Sequence, residues 1–153
     1  MAERPPIPVI EVFAIETIEE LRAVLPHQRR FFTLFLAWDA HSSVQTAVDG
    51  LFRPLLDRGL AYFCAWGHGC EDVHDTVDEC VVERELEVGE AGYTLMTTWH
   101  DKEPLEEALE FFSMCAIPSE DQLRGDFERF AVAVGNSGWA ERMGLFLADP
   151  TSQ

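Results

Sequence analysis

The sequence predicts an α/β domain, a Rossmann-like three-layer sandwich built on a mostly parallel sheet of four to five strands. Three observations point there. Short continuous apolar runs, of the kind buried on both faces, alternate along the chain with longer segments of helical periodicity. Capping and turn residues fall between the runs. The 153 residues, 47% hydrophobic and 11% aromatic, suit one packed core rather than two domains or a disordered chain. Strands that alternate with helices imply right-handed crossovers and a sheet covered on both faces.

Each element has a local reason. Pro5, Pro6 and Pro8 make residues 1–8 a loose lead-in to an apolar stretch, Val9 to Ile15, which Glu11 interrupts. Thr17 with Glu20 fits a capping box and opens a short helix that presents Ile18, Leu21, Val24 and Leu25 before Pro26 stops it. Phe31 to Trp38 is an unbroken apolar run, the pattern of a fully buried strand. Ser42 or Ser43 can cap the next helix, with Val44, Ala47, Val48, Leu51 and Leu55 at helical spacing. Pro54 is expected to kink or end that helix early, leaving Leu55 to Gly59 as a turn.

The alternation then continues. Leu60 to Trp66 reads as a buried strand and Cys70 to about Val81 as a helix with Val73, Val77, Cys80 and Val81 inside. Val82 to Val88 alternates, so it either extends that helix or forms a further strand turning back through Gly89 to Gly92. Tyr93 to Trp99 is a strand, and Pro104 leads a helix with the stripe Leu105, Ala108, Leu109, Phe112 and Cys115. Phe130 to Val134 is the last strand. Ser137 caps a final helix carrying Trp139, Ala140, Met143, Phe146 and Leu147 to a tail at residues 149–153. Leu34, Phe63, Leu95, Leu109, Phe112 and Val132 are the expected deep core.

Composition narrows the function classes. Asp and Glu total 28 against 11 Lys and Arg, a formal net charge of −17. Residues 71–90 hold nine of the acids and one base, Arg84. Such a surface repels nucleic-acid backbones and anionic membranes, since phosphate contacts need Lys and Arg. It suits a basic protein partner, a cation, or solubility alone. No apolar run approaches the roughly 20 residues that span a bilayer, and no basic leader precedes an apolar segment. Cys64, Cys70, Cys80 and Cys115 lack paired spacing and read as reduced thiols of a cytoplasmic protein.

Parallel sheets bind ligands outside the carboxyl ends of their strands. That rule gathers four loops into one neighbourhood: Trp38-Asp39-Ala40-His41-Ser42, Trp66 to Glu71, Trp99-His100-Asp101, and Gly135-Asn136-Ser137-Gly138. They carry the candidate site residues Asp39, His41, His68, Cys70, His100, Asp101 and Asn136, with His74 one turn into a helix. Polar strand-end loops with tryptophans as rim packing would look similar, so the cluster is a candidate only.

Its chemistry has several readings. Cys70, His74 and Asp78 at i, i+4, i+8 form one slanting helical stripe of thiolate, imidazole and carboxylate, competent ligands for zinc or manganese. A half-buried His74 held by Asp78 explains the same spacing. Cys70 near a helix start could be an activated thiol with His68 or His100 as base, although Glu71 and Asp72 oppose a thiolate there. Gly67-His68-Gly69 matches no phosphate-binding signature.

Trp66-Gly67, Cys70-Glu71, Val73-His74-Asp75, Asp78-Glu79, Leu95 through Asp101, Val134-Gly135-Asn136 and Trp139-Ala140 together resemble a family of small uncharacterised bacterial proteins. The resemblance implies a bacterial, cytoplasmic setting and brings no activity, ligand or catalytic residue with it. Two functions follow from the residues themselves. One is a non-catalytic interaction or regulatory module, immunity-like or an accessory subunit, that binds a basic protein partner through the acidic face. The alternative is a small metal-assisted hydrolase or ligand-binding protein working at the strand ends. Oligomeric state and partner identity are not encoded in these patterns.

Overall fold

Five parallel strands form one sheet in the computed structural model, which describes residues 7–25, 31–40, 44–89, 95–118 and 126–149. The strands are β1 (Ile10–Ile15), β2 (Phe31–Trp38), β3 (Leu60–Trp66), β4 (Met96–His100) and β5 (Phe127–Val134). Their order across the sheet is β1-β5-β2-β3-β4. The helices are α1 (Leu21–Val24, entered through a 3-10 turn at Ile18–Glu20), α2 (Val44–Arg58), α3 (Cys70–Val88), α4 (Leu105–Cys115) and α5 (Ser137–Ala148). This is the expected three-layer α/β sandwich.

The two faces of the sheet bury separate cores. One packs Leu34, Phe63, Phe130 and Val132 against Leu21 of α1, Val48, Phe52 and Leu55 of α2, and Val73 and Val77 of α3. The other packs Phe35, Ala37, Cys64, Ala131 and Ala133 against Leu105, Leu109 and Phe112 of α4 and Met143 of α5. Helices α1 to α3 thus cover one face, α4 and α5 the other. The strands in the middle of the order, β2, β3 and β5, are buried nearly throughout because both their faces are covered. The edge strands β1 and β4 are mixed.

Several boundaries depart from the sequence reading. The capping box at Thr17 forms, with the Glu20 carboxylate accepting from the Thr17 and Glu16 amides at 3.3 and 2.8 Å. Pro54, expected to end α2, lies inside it, and the helix runs on to Arg58. An interior proline costs about 3 kcal/mol. Burying Leu55 and Leu56 completely or almost so returns about 1.5–3 kcal/mol each, which decides for the helix. Gly50, four residues earlier and exposed, leaves the released carbonyl open to solvent.

The ambiguous stretch Val82 to Val88 continues α3 as helix. Arg84 reaches Asp57 at 2.9 Å and Glu87 reaches Arg53 at 2.8 Å, both on α2. Gly89, at φ +84, ends it by returning its amide to the Glu85 carbonyl at 2.9 Å. Strand β4 begins at Met96 rather than Tyr93; Tyr93 itself lies outside the described residues, as do His41, Ser42, Ser43 and Pro26. Leu95 therefore precedes the strand and is only partly buried, a correction to the expected core. The other five expected core residues are all fully buried. Strand β5 starts three residues early, at Phe127.

Candidate functional site

Strand order places the crevices. After β3 the chain passes to the α1–α3 face, and after β4 to the opposite face, so the two neighbouring strands send their connections apart. That is the geometry that opens a cleft at the carboxyl ends. A cleft of about 550 Å³ lies there, lined by Asp39, Trp66, Gly67, His68, Gly69, Cys70, Glu71, Asp72, Asp101 and Glu103. The same reversal occurs on each side of β5, and a crevice of about 460 Å³ there includes Glu16, Glu19, Trp38, Asp39, Asn136 and Trp139. Asp39 borders both.

The floor of the cleft is backbone held tightly to backbone. The Ala40 amide donates to the His68 carbonyl at 2.7 Å, and the His68 amide donates to Asp39 Oδ1 at 2.9 Å. Gly67, at φ +118, brings the chain so close that a β-carbon would stand 2.4 Å from the Trp38 carbonyl oxygen. Glycine is required at that approach. The Trp66 indole donates to the Glu103 carbonyl at 2.8 Å and meets Trp139 edge-on at 5.2 Å, fixing the wall nearest α4 and α5.

The structure separates the candidate histidines. His68 is exposed and lines the cleft. Strand β4 sends alternate side chains to opposite faces: His74 packs against one, and His100, the strand's last residue, points to the other. His74, on α3, sits against Trp99 at 4.5 Å; its Nε2 is 2.9 Å from Thr97 Oγ1 and its Nδ1 is 2.9 Å from Asp75. The same Thr97 hydroxyl donates to Asp78 at 2.7 Å. His100 turns towards α4, against Phe111 at 4.7 Å, with Nε2 3.1 Å from Thr98 Oγ1 and Nδ1 3.0 Å from Glu103. Both imidazoles are buried, and both nitrogens of each are engaged by protein groups.

These contacts bear on the chemistry proposed for the cluster. Cys70 is buried at the start of α3, and burial, only partly offset by the His100 amide, pushes its thiol up rather than towards a thiolate. His74 and Asp78 do meet, at 3.5 Å, and the Cys70 thiol has the His100 backbone as a neighbour. Among the described residues no group of three or more His, Cys, Asp or Glu side chains is placed to hold a metal ion. Carboxylate, imidazole and hydroxyl do line up twice, as Asp75–His74–Thr97 and Glu103–His100–Thr98. Neither threonine lines the cleft or the crevice, so these chains anchor the edge strand.

What the cleft gathers is carboxylate. Asp39, Glu71, Asp72, Asp101 and Glu103 surround it, with no Lys or Arg among the described residues that line it. Glu103 escaped the sequence reading because only the fold after β4 turns it back over Trp66. The alternating Thr97 and Thr98 beside His100 were the available signal for the histidine anchors. All four cysteines are free. No helix among the described residues is long and apolar enough to cross a membrane.

The model of a family described as a domain of unknown function, DUF7684, matches residues 10–150 of the chain. No curated protein and no solved structure matches it.

Proposed function

The chain belongs to the DUF7684 family, whose description assigns no activity, and we propose that it is a non-catalytic interaction module for a basic protein partner. One observation carries the reading. The carboxylates of the cleft continue along the exposed side of α3, through Glu71, Asp72, Asp75, Glu79, Glu83 and Glu85. Arg84, the base within that stretch, is tied to Asp57. Lys102 beside the cleft is the cation nearest in sequence to Asp101 and Glu103. A cleft walled by low-dielectric protein concentrates such a field, steering a cationic surface to it and repelling phosphate backbones. In this reading a Lys or Arg side chain of the partner enters the cleft between Asp39 and Asp101.

The test begins with the protein that remains bound to the untagged chain during purification from its own cells at low salt. Association of that partner with wild type is compared with a variant carrying Glu71→Lys, Asp75→Lys, Glu79→Lys and Glu83→Lys, at low and high salt. Steering predicts association slowed at least about tenfold at low salt and little changed at high salt. Equal effects at both salt concentrations, or a retained partner that is itself acidic, would leave the acidic face with solubility as its only role.

A further inference from the structure

At the opposite, amino-terminal edge of the sheet, Arg129 is the one arginine among the described residues that is fully sequestered, at 4% exposure. It points from β5 into the α4–α5 face, where its Nη2 donates to the Phe112 and Ser113 carbonyls at 3.0 and 2.7 Å, closing the last turn of α4. Its plane lies over the Phe112 ring at 5.5 Å. The remaining donors are poorly used. Among the described residues Nη1 has only a long 3.5 Å contact with the Pro8 carbonyl, and Nε has no hydrogen-bond partner. No carboxylate among the described residues forms an ion pair with it.

A guanidinium removed from water is expensive unless an anion or a full set of acceptors replaces its hydration. Two helix carbonyls supply part of that set. Beside the group lies a half-open pocket of about 630 Å³ between Ile7–Ile10, Ser113 and Leu147–Ala148, with Ile7, Val9 and Ala148 exposed at its rim. That volume falls within the usual range for small-molecule sites. A mostly apolar cavity with one under-used buried cation at its wall matches a ligand with an apolar body and a single negative head.

We propose that this cavity binds an apolar monocarboxylate, of the class of a medium-chain fatty acid, with its carboxylate on Arg129 Nη1 in place of the long Pro8 contact. The site is independent of the acidic cleft, which faces the other edge of the sheet. Ser113 lines the pocket beside Arg129, and Ile10 and Leu147 flank the tail.

Titration calorimetry with octanoate, octanol and octylamine, at physiological salt so that the chain's own charge is screened, tests it. Octanoate should bind at least about tenfold tighter than octanol, the value of one charge-assisted hydrogen bond over a neutral one, and octylamine should not bind in the cavity. Amide resonances of Ile10 and Ala148 should shift with octanoate. Ala148→Trp, which places an indole at the pocket wall and leaves Arg129 unsubstituted, should weaken both effects. The proposal fails if octanoate and octanol bind alike or if octanoate does not bind in the millimolar range. It also fails if the resonance shifts fall elsewhere or if octanoate binds a folded Ala148→Trp as tightly as it binds wild type. The wild-type comparison stands even if that variant does not fold.

Discussion

Gly67→Ala is the sharpest perturbation of the cleft that leaves every charge in place. The residue sits at φ +118, and its new β-carbon would lie 2.4 Å from the Trp38 carbonyl oxygen and 2.9 Å from the carbonyl carbon. Both contacts are backbone, so no side chain can swing aside. The positive φ costs an L-residue about 1–2 kcal/mol. Relieving the clash requires the ends of β2 and β3 to part. That movement strains the Ala40–His68 and His68–Asp39 hydrogen bonds, each worth about 1 kcal/mol. The total loss is about 3–4 kcal/mol. Urea unfolding followed by circular dichroism and tryptophan fluorescence measures it, with an unchanged slope expected because the same surface is exposed. Gly144→Ala in α5 is the control: nothing lies within 4 Å of its β-carbon, and helix propensity should make it neutral or stabilising by up to about 1 kcal/mol. A Gly67→Ala loss below about 1 kcal/mol would show that the two strand ends are not locked together, and the cleft would lose its rigid floor.

Phe112→Ala removes a fully buried ring that packs on Phe35 at 5.7 Å and should destabilise by about 3–5 kcal/mol in the same assay; a loss under about 1 kcal/mol would put the register of α4 in error. Burial holds the Cys64 thiol at about 12 and raises that of Cys70, while Cys115 is exposed. Iodoacetamide at mildly alkaline pH should therefore label Cys115 first in the native protein, and rapid labelling of Cys70 would revive a reactive-thiol role for it. Arg142 hydrogen-bonds Glu106 and holds its carboxyl below the ordinary 4.5. A depressed value gives stability that is complete above the unfolded pKa and lost as pH falls through the folded one. Glu106→Gln should lower stability at neutral pH by less than about 1 kcal/mol, since the pair is partly solvated. The gap should close as pH falls through and below the ordinary carboxyl range; one that persisted in strong acid would belong to packing instead.

The sequence alone determined the layer architecture, because apolar periodicity reports which faces are buried, and burial on both faces of a run means a covered parallel strand. Phe31–Trp38 and Leu60–Trp66 were legible to the residue for that reason. Edge strand β4 was less so, since two of its five side chains are exposed and only one is buried, and its apolar run overlaps Leu95. Pro54 misled because local backbone preference, worth about 3 kcal/mol, competes with the burial of leucines whose partners are distant in sequence. The strand-end loops could be placed on one edge from alternation alone, and Asp39, His68, Cys70 and Asp101 do border one cleft. Which histidines enter it could not be read, because side-chain direction depends on strand order and on the alternating faces of β4. Tertiary structure decided that His74 and His100 go to opposite faces, each held by a threonine and a carboxylate. It also decided that Glu103 joins the cleft and that Arg129 is buried beneath the end of α4. Those are contacts between residues far apart in the chain, and no local pattern encodes the strand order that brings them together.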